Sequence, residues 1–433
     1  MSRNSNYNKE SIGNILLFIT IVVSSMFVLQ ICGKALFLWM QILFVSYIIL
    51  NKKSFLVVKY PVINLIYIEL FVSALFSFMT DMPINYKKAS INMSIMAIPM
   101  YFAIAYIRKI ALIQKDDIFR IIRKAIKAAV IIQLGDFYLQ LGINKIMHID
   151  INQVIFVNML HLVDNASFIR NWSWYPSGLT WHSAVLGPLF VMGIILFDNL
   201  FIRAGIFLAA MLCGNSTCLI GVILCGALLL WRYIKKKKSN ISKKTAVIMV
   251  VMIAIAVGGI IGLNLGEVIF RVFNNLWMRL FGSEKDASTA AHLSYYMDYI
   301  SIFKRSSISQ IIFGYGYGCS GYPITVIYNR YSGASNWAIE CDIIDILVSR
   351  GIIGFFTYYY FMFYIMLKGR KLDYRYFVFM FVIFIQGFGY NIQFDYVFFI
   401  EMLLYVSIKL KLNFWDSSRN KLIQEKKRGK RYG

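Results

Sequence analysis

The chain has 433 residues, 59% hydrophobic and only 15% charged, with a mean hydropathy of +0.63. Soluble domains carry about 25% charged residues, so this composition excludes an ordinary soluble domain. The long Ile/Leu/Phe runs lack the period-two alternation of a membrane β-barrel. The expected fold class is an all-α polytopic membrane protein. The net charge of +24 would suit nucleic acid. In a membrane chain it reads instead as Lys and Arg gathered on the cytoplasmic side, with attraction to anionic lipid, and no nucleic-acid partner is expected.

Apolar runs of about 20 residues cross a bilayer, and their order predicts about twelve spans. Residues 1–11 are polar, and the first span covers about 12–31. No small-residue cleavage site follows that run, so it is expected to stay as a helix rather than leave as a signal peptide. Lys34 marks a tight turn, and spans two and three cover about 35–50 and 61–79, the latter opened by Pro61, where the missing N–H costs least. Asp81-Met82-Pro83 breaks span three, and span four covers about 89–107. A basic connector from Arg108 to Lys127 follows, and its Ile118-Ile121-Ile122 spacing predicts an amphipathic helix on the membrane surface. Span five is about 126–142.

Residues 143–181 form a mixed loop, the third on the outer side, ending in Arg170-Asn-Trp-Ser-Trp-Tyr-Pro-Ser-Gly178-Leu-Thr-Trp181. Its aromatic rings suit the headgroup level. Span six is about 182–198, and two short spans, about 201–213 and 217–231, flank Gly214-Asn215-Ser216-Thr217. Span nine is about 245–263, followed by a long polar segment at 264–342. Span ten, about 343–367, is interrupted at Ser349-Arg350-Gly351; spans eleven and twelve are about 375–390 and 392–408, and a basic tail covers 409–433. With both termini inside, most of the 45 Lys and Arg fall on cytoplasmic connectors. That asymmetry places the 264–342 segment outside as one long loop of a single integral membrane domain spanning 1–433.

Chemistry is expected where polar residues gather, from about Arg271 to Gly354. Ala287–Phe303 can form an amphipathic helix carrying His292, Tyr295, Tyr296 and Tyr299 on one side. Phe313-Gly314-Tyr315-Gly316-Tyr317-Gly318 follows, and alternating glycines let a backbone turn and come close to a ligand; a plain glycine-rich turn fits equally. It is no Walker loop, because no Gly-Lys-Ser/Thr follows. Glu340, Asp342 and Asp345 stand at the mouth of span ten, where ionisable groups entering a membrane are costly and usually functional, although helix capping also fits. Arg350, nearly two turns deeper, is positioned to pair with one of them. His182 and His292 are the outer histidines suited to acid–base work. Cys319 and Cys341 allow a disulfide. No His/Cys/Asp cluster has zinc-ligand spacing, and no metal or cofactor is expected.

An arginine before a Gly-x-x-x-His turn in the third outer loop (Arg170, Gly178, His182), Phe-Gly-x-Gly-x-Gly in a later long loop, and Glu340-x-Asp342-x-x-Asp345 ahead of Gly351-Ile-Ile-Gly354 together resemble the Wzy-type polysaccharide polymerases and the related O-antigen ligases. The resemblance implies an inverting, metal-independent glycosyltransferase using undecaprenyl-diphosphate-linked oligosaccharides as both donor and acceptor. It implies a place in the bacterial cytoplasmic membrane, beside a flippase and a chain-length regulator. By the same resemblance Arg170 holds the leaving diphosphate, with Arg279 or Arg305 as a second cation. Glu340, Asp345 or His292 serves as base, and aromatics such as Trp172, Trp174, Trp181, Tyr315 and Tyr317 stack on sugars. Ser335-Asn336 stands where ligases carry a histidine beside an asparagine, which implies polymerase over ligase. A flippase or other transporter is the reading from a different class. It would show inverted repeats and polar residues near the midplane, and no internal repeat is visible.

Overall fold

A computed structural model describes residues 2–32, 34–51, 57–113, 115–162, 176–180, 183–236, 297–323, 339, 341–391 and 395–415. Thirteen helices can be followed in these residues. They are α1 (Ser2–Val23), α2 (Leu36–Asn51), α3 (Pro61–Ser77), α4 (Ile84–Met96), α5 (Ile98–Ile113), α6 (Lys115–Met147), α7 (Ser183–Leu196), α8 (Leu200–Leu212), α9 (Ser216–Lys236), α10 (Ile308–Phe313), α11 (Asp342–Leu372), α12 (Tyr374–Gln386) and α13 (Asp395–Lys409). Residues 297–305 are also helical, and Gln153–Met159 winds as a π-helix. Between α1 and α2 a two-residue hairpin, β1 (Gln30–Ile31) with β2 (Lys34–Ala35), makes the tight turn expected at Lys34.

Among the described residues, four stretches are long and apolar enough to cross a membrane: Ile84–Ile113, Asp117–Met147, Ser216–Tyr233 and Asp342–Leu372. Six shorter apolar helices accompany them, among them Pro61–Ser77 and Ser183–Leu196. The arrangement is an all-α membrane protein. Its faces are inverted relative to a soluble bundle. On α3, Glu69, Ser73 and Ser77 recur one turn apart and are buried, while Leu65, Ile68 and Leu75 are exposed. On α6, Gln133 and Gln140 are buried while Ile131, Ile132 and Leu139 are exposed. Apolar surface of this extent on a water-facing helix would drive aggregation; facing lipid it costs nothing, and the polar groups find partners inside.

Two local expectations change. The basic connector is not a separate surface helix. Lys115–Met147 runs as one helix of 33 residues, about 50 Å long at 1.5 Å per residue, because no Gly or Pro before Gly135 interrupts it. Likewise α4 and α5 are joined through Ala97 alone, so the polar stretch with Lys87 and Lys88 belongs to a helix rather than to a loop before one. Helices occupy the two short apolar runs around Gly214, and the break near Arg350 lies where the sequence put it. The ninth span and nearly all of the long loop before residue 297 fall outside the described residues, as does the tail after Trp415.

Candidate functional site

The break in α11 organises the polar centre. Gly351 has φ +65° and ψ −168°, so the helix stops and restarts there. A break strips the carbonyls of the preceding turn of their i+4 donors, and within a membrane each must be re-satisfied. The glycine-rich stretch does this. Tyr315 N–H donates to Val348 O at 2.8 Å and Gly316 N–H to Ser349 O at 2.9 Å. Ser73 Oγ of α3 also donates to Ser349 O, at 2.8 Å. The approach is backbone on backbone. A Cβ on Gly314 (φ +80°) would lie 2.3 Å from the Ser349 carbonyl, and one on Gly351 would lie 2.4 Å from Ile312 O. The alternating glycines therefore seat the loop against α11. Phe313 stacks on Phe76 at 4.0 Å between centroids and fixes the other side.

Arg350, at the break, points inward to Glu69. Its Nε lies 3.0 Å from both Glu69 oxygens, and its NH2 group makes a further bond to Oε2. The two residues are 3% and 5% exposed, so the pair is sealed from solvent and lipid alike. The partner expected for Arg350 was Glu340, Asp342 or Asp345; the carboxylate it bonds among the described residues is Glu69. Arg350 also lies over the Tyr358 ring, 5.9 Å from its centroid, and Tyr358 OH donates to both oxygens of Glu401 at 3.2 and 3.1 Å. Glu401 is fully buried in the middle of α13.

Asp342 and Asp345 share the first turn of α11 but have different surroundings. Asp342 is buried, its N–H donating to Gly387 O at 2.8 Å. Asp345 is only partly buried, accepts from Ser320 Oγ, and is also hydrogen-bonded by Asn391. Ser320, two residues beyond Gly318, accepts in turn from Ile339 N–H at 3.2 Å. Tyr317 packs against the main core within electrostatic range of Arg350.

The remaining sequence candidates are distributed as follows. Tyr315 is buried in a second apolar cluster with Met82, Tyr86, Ile302, Cys319 and Ile344, and its hydroxyl bonds Ser306 Oγ at 2.9 Å. Burial raises that hydroxyl's pKa, and the Ser306 bond partly offsets the rise. Its ring is packing, not an open sugar platform. Cys319 and Cys341 are thiols rather than a disulfide. Burial pushes the Cys319 thiol up to about 12. Arg305 is exposed at the end of the 297–305 helix and pairs with no carboxylate among the described residues. Arg170, His182, Arg279, His292 and Glu340 lie outside the described residues, as do Trp172, Trp174 and Trp181.

Gly178 sits in a turn at 176–180 gripped by one face of α6. Ser177 and Gly178 N–H both donate to Gln140 Oε1 at 3.0 and 3.2 Å, and Leu179 N–H donates to Gln133 Oε1 at 2.8 Å. Asn152 bridges Gly178 O and Asp136 Oδ2, each at 2.9 Å. With φ +63° and Gln133 Oε1 2.6 Å from where a Cβ would stand, the position needs glycine for its conformation and for space.

One turn at the end of α12 touches α7, α9 and α11. Gln386, at the end of α12, donates through Nε2 to Thr217 O at 3.1 Å and lies 2.7 Å from where a Cβ on Gly187 of α7 would be. Its neighbour Gly387 receives the Asp342 N–H and lies against the Asp342 side chain. Gly187 of α7, Thr217 in the first turn of α9 and Asp342 in the first turn of α11 thus each touch Gln386 or Gly387. Sequence reasoning missed Glu69, Ser320, Gln386 and Asn391. Glu69 had a readable signal, as the sole acidic or basic residue in the apolar run 61–79. Among the described residues no group of His, Cys, Asp and Glu is arranged to hold a metal ion. The chain matches no known family model and no curated protein.

Proposed function

We propose that this chain polymerises oligosaccharide repeat units carried on undecaprenyl diphosphate, at the outer face of the bacterial cytoplasmic membrane, with both termini in the cytoplasm. The observation that carries the reading is the end of α12, where Gln386 lies against Gly187 of α7 and Gly387 O accepts the N–H of Asp342 in α11. In sequence α7 follows the third loop and α11 the long loop, the two segments whose motifs resemble the polymerases, and the partly buried Asp345 stands in the first turn of α11. An acceptor hydroxyl oxygen attacks the donor's anomeric carbon, and its proton passes to a base, Asp345, Glu340 or His292. The bond to the lipid diphosphate breaks, and that leaving group departs against Arg170, whose planar fork suits phosphate oxygens. No nucleotide or metal enters these steps, and in the cell a flippase and a chain-length regulator are the chain's expected partners.

One observation favours a transporter of lipid-linked oligosaccharide as the second reading. The Glu69–Arg350 pair and Glu401 lie in the middle of apolar helices, where transporters keep coupling residues. A strain lacking the chain separates the readings. A lipid A core carrying a single repeat supports polymerase. Long unattached lipid-linked polymer supports the ligase, and repeats held on the cytoplasmic leaflet support the transporter.

A further inference from the structure

We infer that Ser320 is a positioning residue for the Asp345 carboxylate, and that the glycine-rich stretch before it delivers it there. The inference rests on reading Asp345 as the base. Ser320 is fully buried, donates to Asp345 Oδ1 and accepts the Ile339 N–H. Its hydroxyl proton is therefore committed in direction: with the backbone amide feeding its lone pair, the hydroxyl can only donate toward the carboxylate. Asn391, reaching in from the segment after α12, supplies a second donor to Asp345. A carboxylate has roughly four lone-pair directions. Two donors from two segments fix its plane, and a remaining lone pair is the one an acceptor hydroxyl must use.

What holds Ser320 in place is the seat already described. Tyr315 and Gly316 bond the carbonyls freed by the break at Gly351, Gly316 O accepts from Cys319 N–H at 2.9 Å, and Cys319 Sγ donates to Tyr86 O at 3.3 Å. A Cβ on Gly316 (φ +119°) would stand 2.7 Å from Ser77 Cβ, and one on Gly318 (φ +77°) 2.0 Å from Met93 Sδ. These glycines let the loop lie flat on α3, α4 and α11 at once. From Val348 to Ser320 there is one continuous run of backbone bonds and tight packing. The hydroxyl of Ser320 is thus fixed relative to the same helix that carries Asp345. A base so held keeps its orientation while substrates exchange, which is what a positioned proton acceptor requires.

The test uses the purified full chain in liposomes with a short lipid-linked repeat as substrate, comparing wild type with Ser320→Ala, Ser320→Thr and Asn391→Ala. Ser320→Ala is expected to lower kcat on the order of 100-fold, the scale set by misplacing a reacting group by about 1 Å, with KM unchanged. Ser320→Thr, which keeps the hydroxyl, is expected to recover most of it. Asn391→Ala removes a donor on another segment and is expected to lower kcat without moving KM; it serves if Ser320→Ala does not fold. An active wild type with a fully active Ser320→Ala overturns the positioning role alone. So does loss of activity in the Ala and Thr variants alike with a raised KM. A wild type that joins no repeats overturns the reading of Asp345 as base, and the positioning role with it.

Discussion

Replacing Glu69 with Gln removes the carboxylate that the Arg350 guanidinium bonds inside the helix bundle. Arg350 is 3% exposed and Glu69 5%, so water cannot substitute for the lost charge. A pair at roughly 4 Å in an effective dielectric of about 20 is worth about 4 kcal/mol. Removing one member of a buried pair costs about 3–5 kcal/mol, most of it the uncompensated charge that stays behind. Glu69→Gln and Arg350→Gln are each expected to fall in that range, whereas the double variant is expected to cost well under the sum, since it leaves no buried charge. The assay is unfolding of the detergent-solubilised chain by SDS titration, followed by tryptophan fluorescence and read as a double-mutant cycle. A Glu69→Gln variant within about 1 kcal/mol of wild type, or strictly additive single variants, would refute the pair as a stabilising centre.

Three further outcomes follow from the same geometry. Gly351→Ala places a side chain at φ +65° against Ile312 O; left-handed strain alone is about 1–3 kcal/mol, so it and Gly314→Ala should lower the melting temperature of the purified chain, while Gly226→Ala, with open space around it, should not. Cys319, buried and with its thiol pushed up to about 12, should resist maleimide at neutral pH in the folded chain and react after unfolding, because the thiolate is the nucleophile. Exposed Cys32 should label throughout, as peptide mapping would show. Arg170→Ala should abolish polymer while the protein still reaches the membrane, and Arg170→Lys should also do poorly because an ammonium cannot form the bidentate fork; full-length polymer from Arg170→Ala would remove Arg170 from the site.

The apolar runs made most of the helices legible, because a segment in lipid must satisfy its own backbone and has few alternatives to helix. Glycine and proline punctuation carried the breaks: Ser349-Arg350-Gly351 interrupts α11, and Gly214 separates α8 from α9. The basic connector misled because its charges were read as an interfacial surface. They occupy the end of α5 and the first turns of α6, where Arg123 is buried and donates to Asn413 O and Phe414 O, each at 3.2 Å. The glycine motif was visible, but not its partner. Its bonds go to carbonyls released by a break more than thirty residues later in the chain, and a sequence holds no trace of which backbone a backbone will meet. The same limit hid Glu69 from Arg350 and Ser320 from Asp345, pairs separated by 281 and 25 residues. A lone acid in an apolar run says that a partner exists, not which residue supplies it.

The central claim is that this chain joins lipid-linked repeats, and it is tested most directly by reconstituting the purified protein in liposomes that hold one undecaprenyl-diphosphate-linked repeat unit and no nucleotide sugar. The account predicts a ladder of lipid-linked products lengthened by whole repeats, lost in Arg170→Ala and in Asp345→Asn. Repeats that cross the bilayer with no ladder forming would contradict it and leave the transporter reading standing.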